Sequence, residues 1–281
     1  MRSQILQKEL LAPAVCRIVL AAPRIASHAR AGQFVILRAA EDGERIPLTI
    51  ADYDRSAGTV TLIYQIVGGT TMQLYSLKAG DFLPDLAGPL GRPSGLEGLR
   101  RVAVVGGGVG CAIAAPVAKA LHEQGADVTM IAGFRSREMV ILEKEMAAVS
   151  RLRLMTDDGS AGEKGFVTAA LEELLSREER FDRVFAIGPL AMMQAVSDLT
   201  LRYDTPCTVS MNPIMIDGTG MCGCCRLTVG GEVKFACVDG PEFDGHLVDF
   251  AEAIRRSRLY QAAEARAREA NCHLLEDAEH E

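Results

Sequence analysis

The stretch from Asp217 to Cys237 limits what this chain can fold into more than any other. It reads Asp217-Gly-Thr-Gly-Met-Cys222-Gly-Cys224-Cys225, and after eleven intervening residues comes Cys237; four of the chain's eight cysteines fall between Cys222 and Cys237. In a short secreted chain such crowding suggests disulfides. Here 281 residues, 48% of them apolar, can bury sizeable cores, so local crowding favours a metal site instead.

A two-iron, two-sulfide (2Fe-2S) cluster is wrapped by a glycine-rich loop with the spacing C-x4-C-x2-C and a distant fourth cysteine. Cys222, Cys225 and Cys237 occupy three of those positions, and Asp217 stands at the first. Carboxylate oxygen can ligate iron and carries the formal charge of a thiolate. Glycines at 218, 220 and 223 suit a loop that must turn its N–H groups toward sulfides. Two alternatives stay open from the residues alone: a four-cysteine zinc site using Cys222, Cys224, Cys225 and Cys237, and buried thiols without metal. Adjacent cysteines are poorly placed around one tetrahedral ion. Cys224 is expected not to be a ligand.

The rest of the chain divides by pattern. Residues 1–98 read as short strands at 15–20, 33–37 and 59–67, broken by glycine turns, as in a small all-β barrel. Gly88-Pro-Leu-Gly-Arg-Pro-Ser-Gly95 is the linker candidate. Residues 99–210 alternate strand and helix: strands at 102–105, 128–131, 152–155 and 184–187, with helical runs to about Gln124, from Glu138 and over 169–178. That alternation predicts a Rossmann-like parallel α/β sheet. Residues 211–281 hold the cysteine loop and a charged helical tail, expected over 247–269.

Between the first strand of the α/β region and its helix lies Gly106-Gly-Gly-Val-Gly110-Cys111. Such a turn lets backbone approach a pyrophosphate and sets it on a helix N-terminus. The match to G-x-G-x-x-G/A is imperfect, because Cys111 stands where the third small residue belongs. After the next strand, where an acidic residue would select an NAD ribose, the sequence has Arg135 and Arg137, and the choice between NAD and NADP stays open.

A net charge of −7 argues against nucleic acid or an anionic membrane as partner. No stretch reaches the roughly 18–20 apolar residues that span a bilayer, and the first residues are polar where a leader would continue apolar. The expectation is a cytoplasmic protein. His28, His122, His246 and the scattered methionines suggest no further site.

The order of these motifs resembles the ferredoxin reductase superfamily, in which a flavin barrel precedes a nicotinamide domain. With the cysteine loop added, residues 1 to about 250 resemble electron-transfer subunits of dihydroorotate dehydrogenase. They resemble more closely the small subunits of the electron-bifurcating NADH-dependent reduced ferredoxin:NADP oxidoreductase and of sulfide dehydrogenase. The resemblance rests on Arg45-Ile-Pro-Leu-Thr-Ile50, Gly106 to Gly110, Thr156-Asp-Asp-Gly-Ser160, Ile187-Gly-Pro189 and Asn212 to Cys225, with Asp217 pointing to the last two subunits.

The resemblance implies FAD, NAD(H) (or NADP(H)) and a 2Fe-2S cluster as cofactors, with Asp217, Cys222, Cys225 and Cys237 as ligands. Pro47, Leu48 and Thr49 would line the flavin with Ile63, Tyr64 and Gln65 beside it, and Thr70 and Thr71 near the FAD phosphates. The superfamily's R-x-Y-S/T pattern is altered: Arg45 comes one place early, Ile46 holds the arginine position and Leu48 replaces tyrosine. The nicotinamide nucleotide would lie across Gly107, Gly108 and Gly110, near Thr156, Asp157 and Gly188. The implied function is transfer of electrons between NAD(H), FAD and the cluster to a larger, glutamate-synthase-like flavin and iron–sulfur subunit, with ferredoxin reached through the complex. The competing readings are service to a sulfide or dihydroorotate dehydrogenase, and a non-enzymatic redox-sensing module.

Overall fold

The computed structural model describes residues 2–177 and 180–274. Its first part is an antiparallel sheet of β1 (Ser3–Ala12), β2 (Val15–Ala21), β3 (Phe34–Arg38), β4 (Ile46–Asp54), β5 (Thr59–Gln65), β6 (Phe82–Leu83) and β7 (Asp85–Leu90), in the order β6-β1-β2-β5-β4-β3-β7. Only Pro84 separates β6 from β7, the two outer strands, so the sheet curls into a nearly closed barrel. Side-chain alternation fills its interior, where Ile18 and Leu20 of β2 meet Leu62 and Tyr64 of β5. Strand β1 is absent from the sequence reading. Its pairing with β2 shifts register twice, between Ile5 and Gln7 and between Leu10 and Ala12, which erases the period of two. Short helices α1 (Pro23–Ala26) and α2 (Gly69–Ser76) close the barrel loops.

The second part is the expected α/β layer. Strands β8 (Arg101–Gly107), β9 (Asp127–Phe134), β10 (Arg151–Thr156), β11 (Glu163–Lys164), β12 (Arg183–Ile187) and β13 (Cys207–Ser210) pair in parallel, in the order β11-β10-β9-β8-β12-β13. The helices between them are α3 (Cys111–Glu123), α4 (Glu143–Val149), α5 (Val167–Ser176) and α6 (Leu190–Arg202). The helical run expected from Glu138 is instead a 3-10 turn over Arg137–Met139, interrupted by Leu142 at φ +55 before α4 begins. The expected end of α5, Glu178, lies outside the described residues. Strand order reverses between β8 and β12, the place where open α/β sheets bind ligands beyond their carboxyl ends.

The chain then leaves β13, forms the cysteine loop and the hairpin β14 (Arg226–Val229) and β15 (Glu232–Phe235), and returns as β16 (Glu242–Asp244), antiparallel to β13. The tail is two helices, α7 (Phe250–Arg256) and α8 (Gln261–Asn271), instead of one; the chain turns between them. Its acidic end, from residue 275, lies outside the described residues. Among the described residues no helix is long and apolar enough to cross a membrane.

Buried apolar residues form one core inside the barrel and one on each face of the second sheet. The latter two also join the parts: Val15 and Ile63 of the barrel pack with α3, and Phe34 and Ile36 pack with Cys225 and Cys237. The linker is a polar clip. Ser94 N–H donates to Ala31 O (2.9 Å), Gln33 Nε2 to Gly91 O (2.9 Å) and Arg92 N–H to Gly240 O (2.7 Å).

Ser94 Oγ also donates to Glu242 Oε1 (2.6 Å). Burial pushes the Glu242 carboxyl up to about 7 against the pull of Ser94 and Arg183. A carboxyl with a raised folded pKa contributes stability that is complete below its unfolded value of 4.5 and lost as pH rises through about 7. Glu242→Gln, which keeps the acceptor for Ser94, should therefore melt with the wild type near pH 4.5 and above it near pH 8, by on the order of 3 kcal/mol. Parallel thermal scans at the two pH values check this.

Candidate cofactor cleft and cluster loop

A cleft of about 680 Å³ opens where the barrel meets the carboxyl ends of β8, β9 and β12. The barrel lines it with Pro47, Leu48 and Thr49 of β4 and with Ile63, Tyr64 and Gln65 of β5. Facing them are Gly107, Gly108 and Gly110, with Asp157 and Gly188 at the ends of neighbouring strands. Residues quoted from two distant sequence motifs thus share one cavity.

Tyr64 borders the cleft, but its ring belongs to the barrel core and is 2% exposed. Burial, with Cys16 beside it, pushes its phenol pKa up and keeps it neutral. Thr71 reaches the cleft with its hydroxyl already committed: Oγ1 accepts from Val67 N–H and Gly68 N–H (both 3.0 Å) and donates to Gly68 O (2.9 Å). It shapes the turn that opens α2. Two expected residues lie off the cleft lining. Thr70 sits in the first turn of α2, and Thr156 is fully buried, its hydroxyl donating to Ala161 O (2.6 Å) to close the loop after β10. Arg45 turns away to Asp85 (3.3 Å), so the altered motif supplies no cation to the cleft.

Cys111 explains its own departure from the glycine fingerprint. A Cβ at Gly106 would stand 2.8 Å from its Sγ, so the missing side chain in β8 makes room for the sulfur. Burial lifts its thiol to about 12, which leaves it an inert packing group. Gly110 is fixed by close approach, since a Cβ there would lie 2.5 Å from Ile187 O.

Sequence reading missed the methionines. Met192, Met211 and Met215 line the cleft, together with Phe34 and Asn212. Only tertiary packing gathers them, and no local spacing announces it. Arg135 stands exposed at the mouth, while Arg137 Nε is engaged with Ser160 O (3.4 Å). His28 and His246 make local contacts, with Arg24 O and Thr200 Oγ1 (both 3.0 Å).

In the cysteine loop, Asp217 Oδ1 accepts from Thr219 N–H (2.9 Å) and Oδ2 from Cys222 N–H (2.7 Å). The Thr219 N–H, then that of Cys222, holds its carboxyl below the usual range, so an anion organises the loop. Each oxygen keeps a second lone pair for a metal. Gly218, at φ +73, lies flat on the barrel: a Cβ there would meet Leu90 Cδ1 at 2.6 Å. Cys225 and Cys237 are buried, Cys222 is exposed, and Cys224 has its carbonyl held by Arg256 Nη2 (3.1 Å). Among the described residues no three His, Cys, Asp or Glu side chains converge on a single-ion site, as the zinc alternative requires. The donor set of three thiolates and one carboxylate, on a glycine-rich loop, fits an iron–sulfur cluster.

Gly108→Ala and Gly110→Ala separate the two glycine roles. Position 108 has φ +55 and open space around a built Cβ, so alanine should cost about 1 kcal/mol yet project a methyl into the cleft and weaken NADH binding. Alanine at 110 must displace the end of β12 and should cost about 3 kcal/mol or more. Thermal melts paired with NADH titrations test both.

Comparison with known proteins agrees with this reading. Residues 212–249 match the family model of the iron–sulfur cluster binding domain of dihydroorotate dehydrogenase B. A Thermotoga maritima homolog of the dihydroorotate dehydrogenase B (NAD(+)) electron transfer subunit is 45% identical over 93% of each chain. A solved chain of the NADH-dependent reduced ferredoxin-NADP oxidoreductase, described for flavin-based electron bifurcation, is 43% identical, with a TM-score of 0.91 over 95% of this chain and 97% of its own. The ferredoxin reductase of carbazole 1,9a-dioxygenase, at 21% identity and a TM-score of 0.59 over 73% of this chain and 66% of its own, shares the fold alone. FAD, NAD(H) and an iron–sulfur cluster are accordingly the cofactors of this oxidoreductase-type chain. It belongs to the family of dihydroorotate dehydrogenase B electron-transfer subunits and their homologs, built on the ferredoxin reductase fold.

Proposed function

We propose that this chain carries electrons between NAD(H) and a larger flavin and iron–sulfur subunit of glutamate-synthase-like type, in an electron-bifurcating NADH-dependent ferredoxin:NADP oxidoreductase. One observation carries the proposal. The segment that floors the cleft with Met211, Asn212 and Met215 continues within two residues to Asp217, so the cluster loop begins where the cleft ends. Asp217 in place of a cysteine supports the bifurcating branch over the dihydroorotate branch.

When bound, FAD supplies two-electron exchange with the nicotinamide and one-electron exchange with the cluster. The protein's part is position and dryness. Pro47 to Thr49 and Ile63 hold one wall, Gly107 and Gly108 admit the nucleotide backbone on the other, and Met192, Met211 and Met215 exclude water between them. Asp157 and Arg135, on the nucleotide side, serve binding; no proton transfer is asked of them. Asp217, Cys222, Cys225 and Cys237 hold the cluster, with Cys224 left out.

Anaerobic reconstitution should yield one FAD, two irons and two sulfides per chain, with NADH bleaching the flavin absorbance. Asp217→Ala should change the cluster spectrum and lower iron content by about half or more, whereas Cys224→Ser should do neither. The reverse pattern would remove both the ligand assignment and the subfamily argument. Purification from the source should bring down a second, larger flavin and iron–sulfur chain; a fully active single chain would exclude it.

A further inference from the structure

The cluster loop meets the cofactor cleft at both of its ends. At the first, Asp217 follows Met215 by two residues; at the second, Pro241 follows Cys237 by four, and Met215 and Pro241 both line the cleft. The second end is held from outside. The linker between barrel and sheet grips it at successive residues: Arg92 Nε donates to Val238 O (3.1 Å), Arg92 N–H to Gly240 O (2.7 Å) and Ser94 Oγ to the Glu242 carboxyl (2.6 Å). Pro241 O, between the last two, accepts from Met211 N–H (2.9 Å).

Gly32 brings the barrel to the same point. Its φ is +84, and a Cβ there would collide with Ser94 Oγ and lie 3.1 Å from Glu242 Oε1. Barrel, linker and β16 therefore touch at one hydrogen bond.

We propose that Glu242 is a positioning residue for electron transfer between flavin and cluster: while protonated it locks the segment from Cys237 to Pro241 through Ser94, and on losing its proton it lets that segment loosen. The inference rests on the electron-transfer reading above.

The reason lies in the supply of donors. Among the described residues the Glu242 carboxyl has one hydrogen-bond donor, the Ser94 hydroxyl. A neutral carboxyl is satisfied by little; a carboxylate offers about four acceptor sites, and where the protein fills one of them it moves toward water. Neighbouring charges are spent elsewhere. Arg92 pairs with Asp239 (3.8 Å), and Asp244 Oδ1 accepts from His246 N–H (3.0 Å). Gly32 on the barrel side and Ser210, the ladder partner in β13, bring no charge. Arg183 of β12 attracts the carboxylate, but burial outweighs it and pushes the group up to about 7. The lock is thus closed below about pH 7 and weakens above it.

Rapid mixing with NADH of the chain loaded with FAD and cluster, at about pH 6 and about pH 8.5, tests the proposal when flavin bleaching and cluster signal are followed separately. Glu242→Gln keeps the acceptor for Ser94 and cannot ionise. Its cluster reduction should match the wild type at the lower pH and exceed it about tenfold at the higher, while both chains bleach flavin alike. Ser94→Ala, which removes the donor, should pass electrons to the cluster slowly at both. Without NADH, hydrogen exchange corrected for its chemical rate should show the Arg92 and Met211 amides losing protection above about pH 7 in the wild type and not in Glu242→Gln.

A variant-to-wild-type ratio near one at both pH values, a ratio that flavin bleaching shares, a Ser94→Ala profile like that of the wild type, or equal protection in both chains would overturn the proposal and leave electron transfer standing. If the wild-type cluster takes no electrons from reduced flavin at either pH, the electron-transfer reading fails and this inference with it.

Discussion

Ser210 and Glu242 are ladder partners in β13 and β16, and everything between them, the cluster loop and its hairpin, is one excursion that leaves and rejoins the same sheet. The position of the loop relative to the nucleotide domain therefore depends on this short antiparallel pairing. Phe34, Ile36 and Leu90 of the barrel press on the excursion from the other side. Three parts of the chain meet there because the strand pairing, the apolar contact and the linker clip through Ser94 and Arg92 all close on the same few residues. Electron transfer across such a junction needs fixed spacing far more than it needs reactive side chains.

That economy explains the composition of the cleft. Its lining is mostly glycine, methionine and aliphatic carbon, and the ionisable groups that border it sit at the mouth or, like Tyr64, are neutralised by burial. Methionine suits a surface that must fit a changing, polarisable ring without strict shape. Cys111 shows the same principle in packing: a residue too large for the fingerprint is accepted because Gly106 of β8, on which its sulfur rests, has no side chain. Glycine matters here as absent volume at a switch point, where backbone has to touch backbone.

The sequence was legible wherever the signal was local. The glycine turn after β8, each strand and helix of the alternation, and the cysteine-rich loop that matches an iron–sulfur cluster binding domain are each written in neighbouring residues. Strand β1 was hidden because two register shifts destroy its alternation. The break at Leu142 and the turn between α7 and α8 were hidden because helical composition continues through both. Thr156 and Tyr64 stand beside the cleft with their side chains committed elsewhere, one to its own loop and the other to the barrel core, which no local pattern announces. Met192, Met211 and Met215 could be found only once the fold had brought α6 and the segment before the cluster together.

With FAD and the cluster bound as proposed, hydride would enter the cleft first and single electrons would reach the loop second, all within one chain. Rapid mixing of the oxidised chain with NADH, with samples frozen at intervals for paramagnetic resonance and followed optically in parallel, tests it most directly. Flavin absorbance should fall before the signal of the reduced two-iron cluster rises. A cluster signal that precedes flavin bleaching, or flavin reduction that never reaches the cluster, would contradict it.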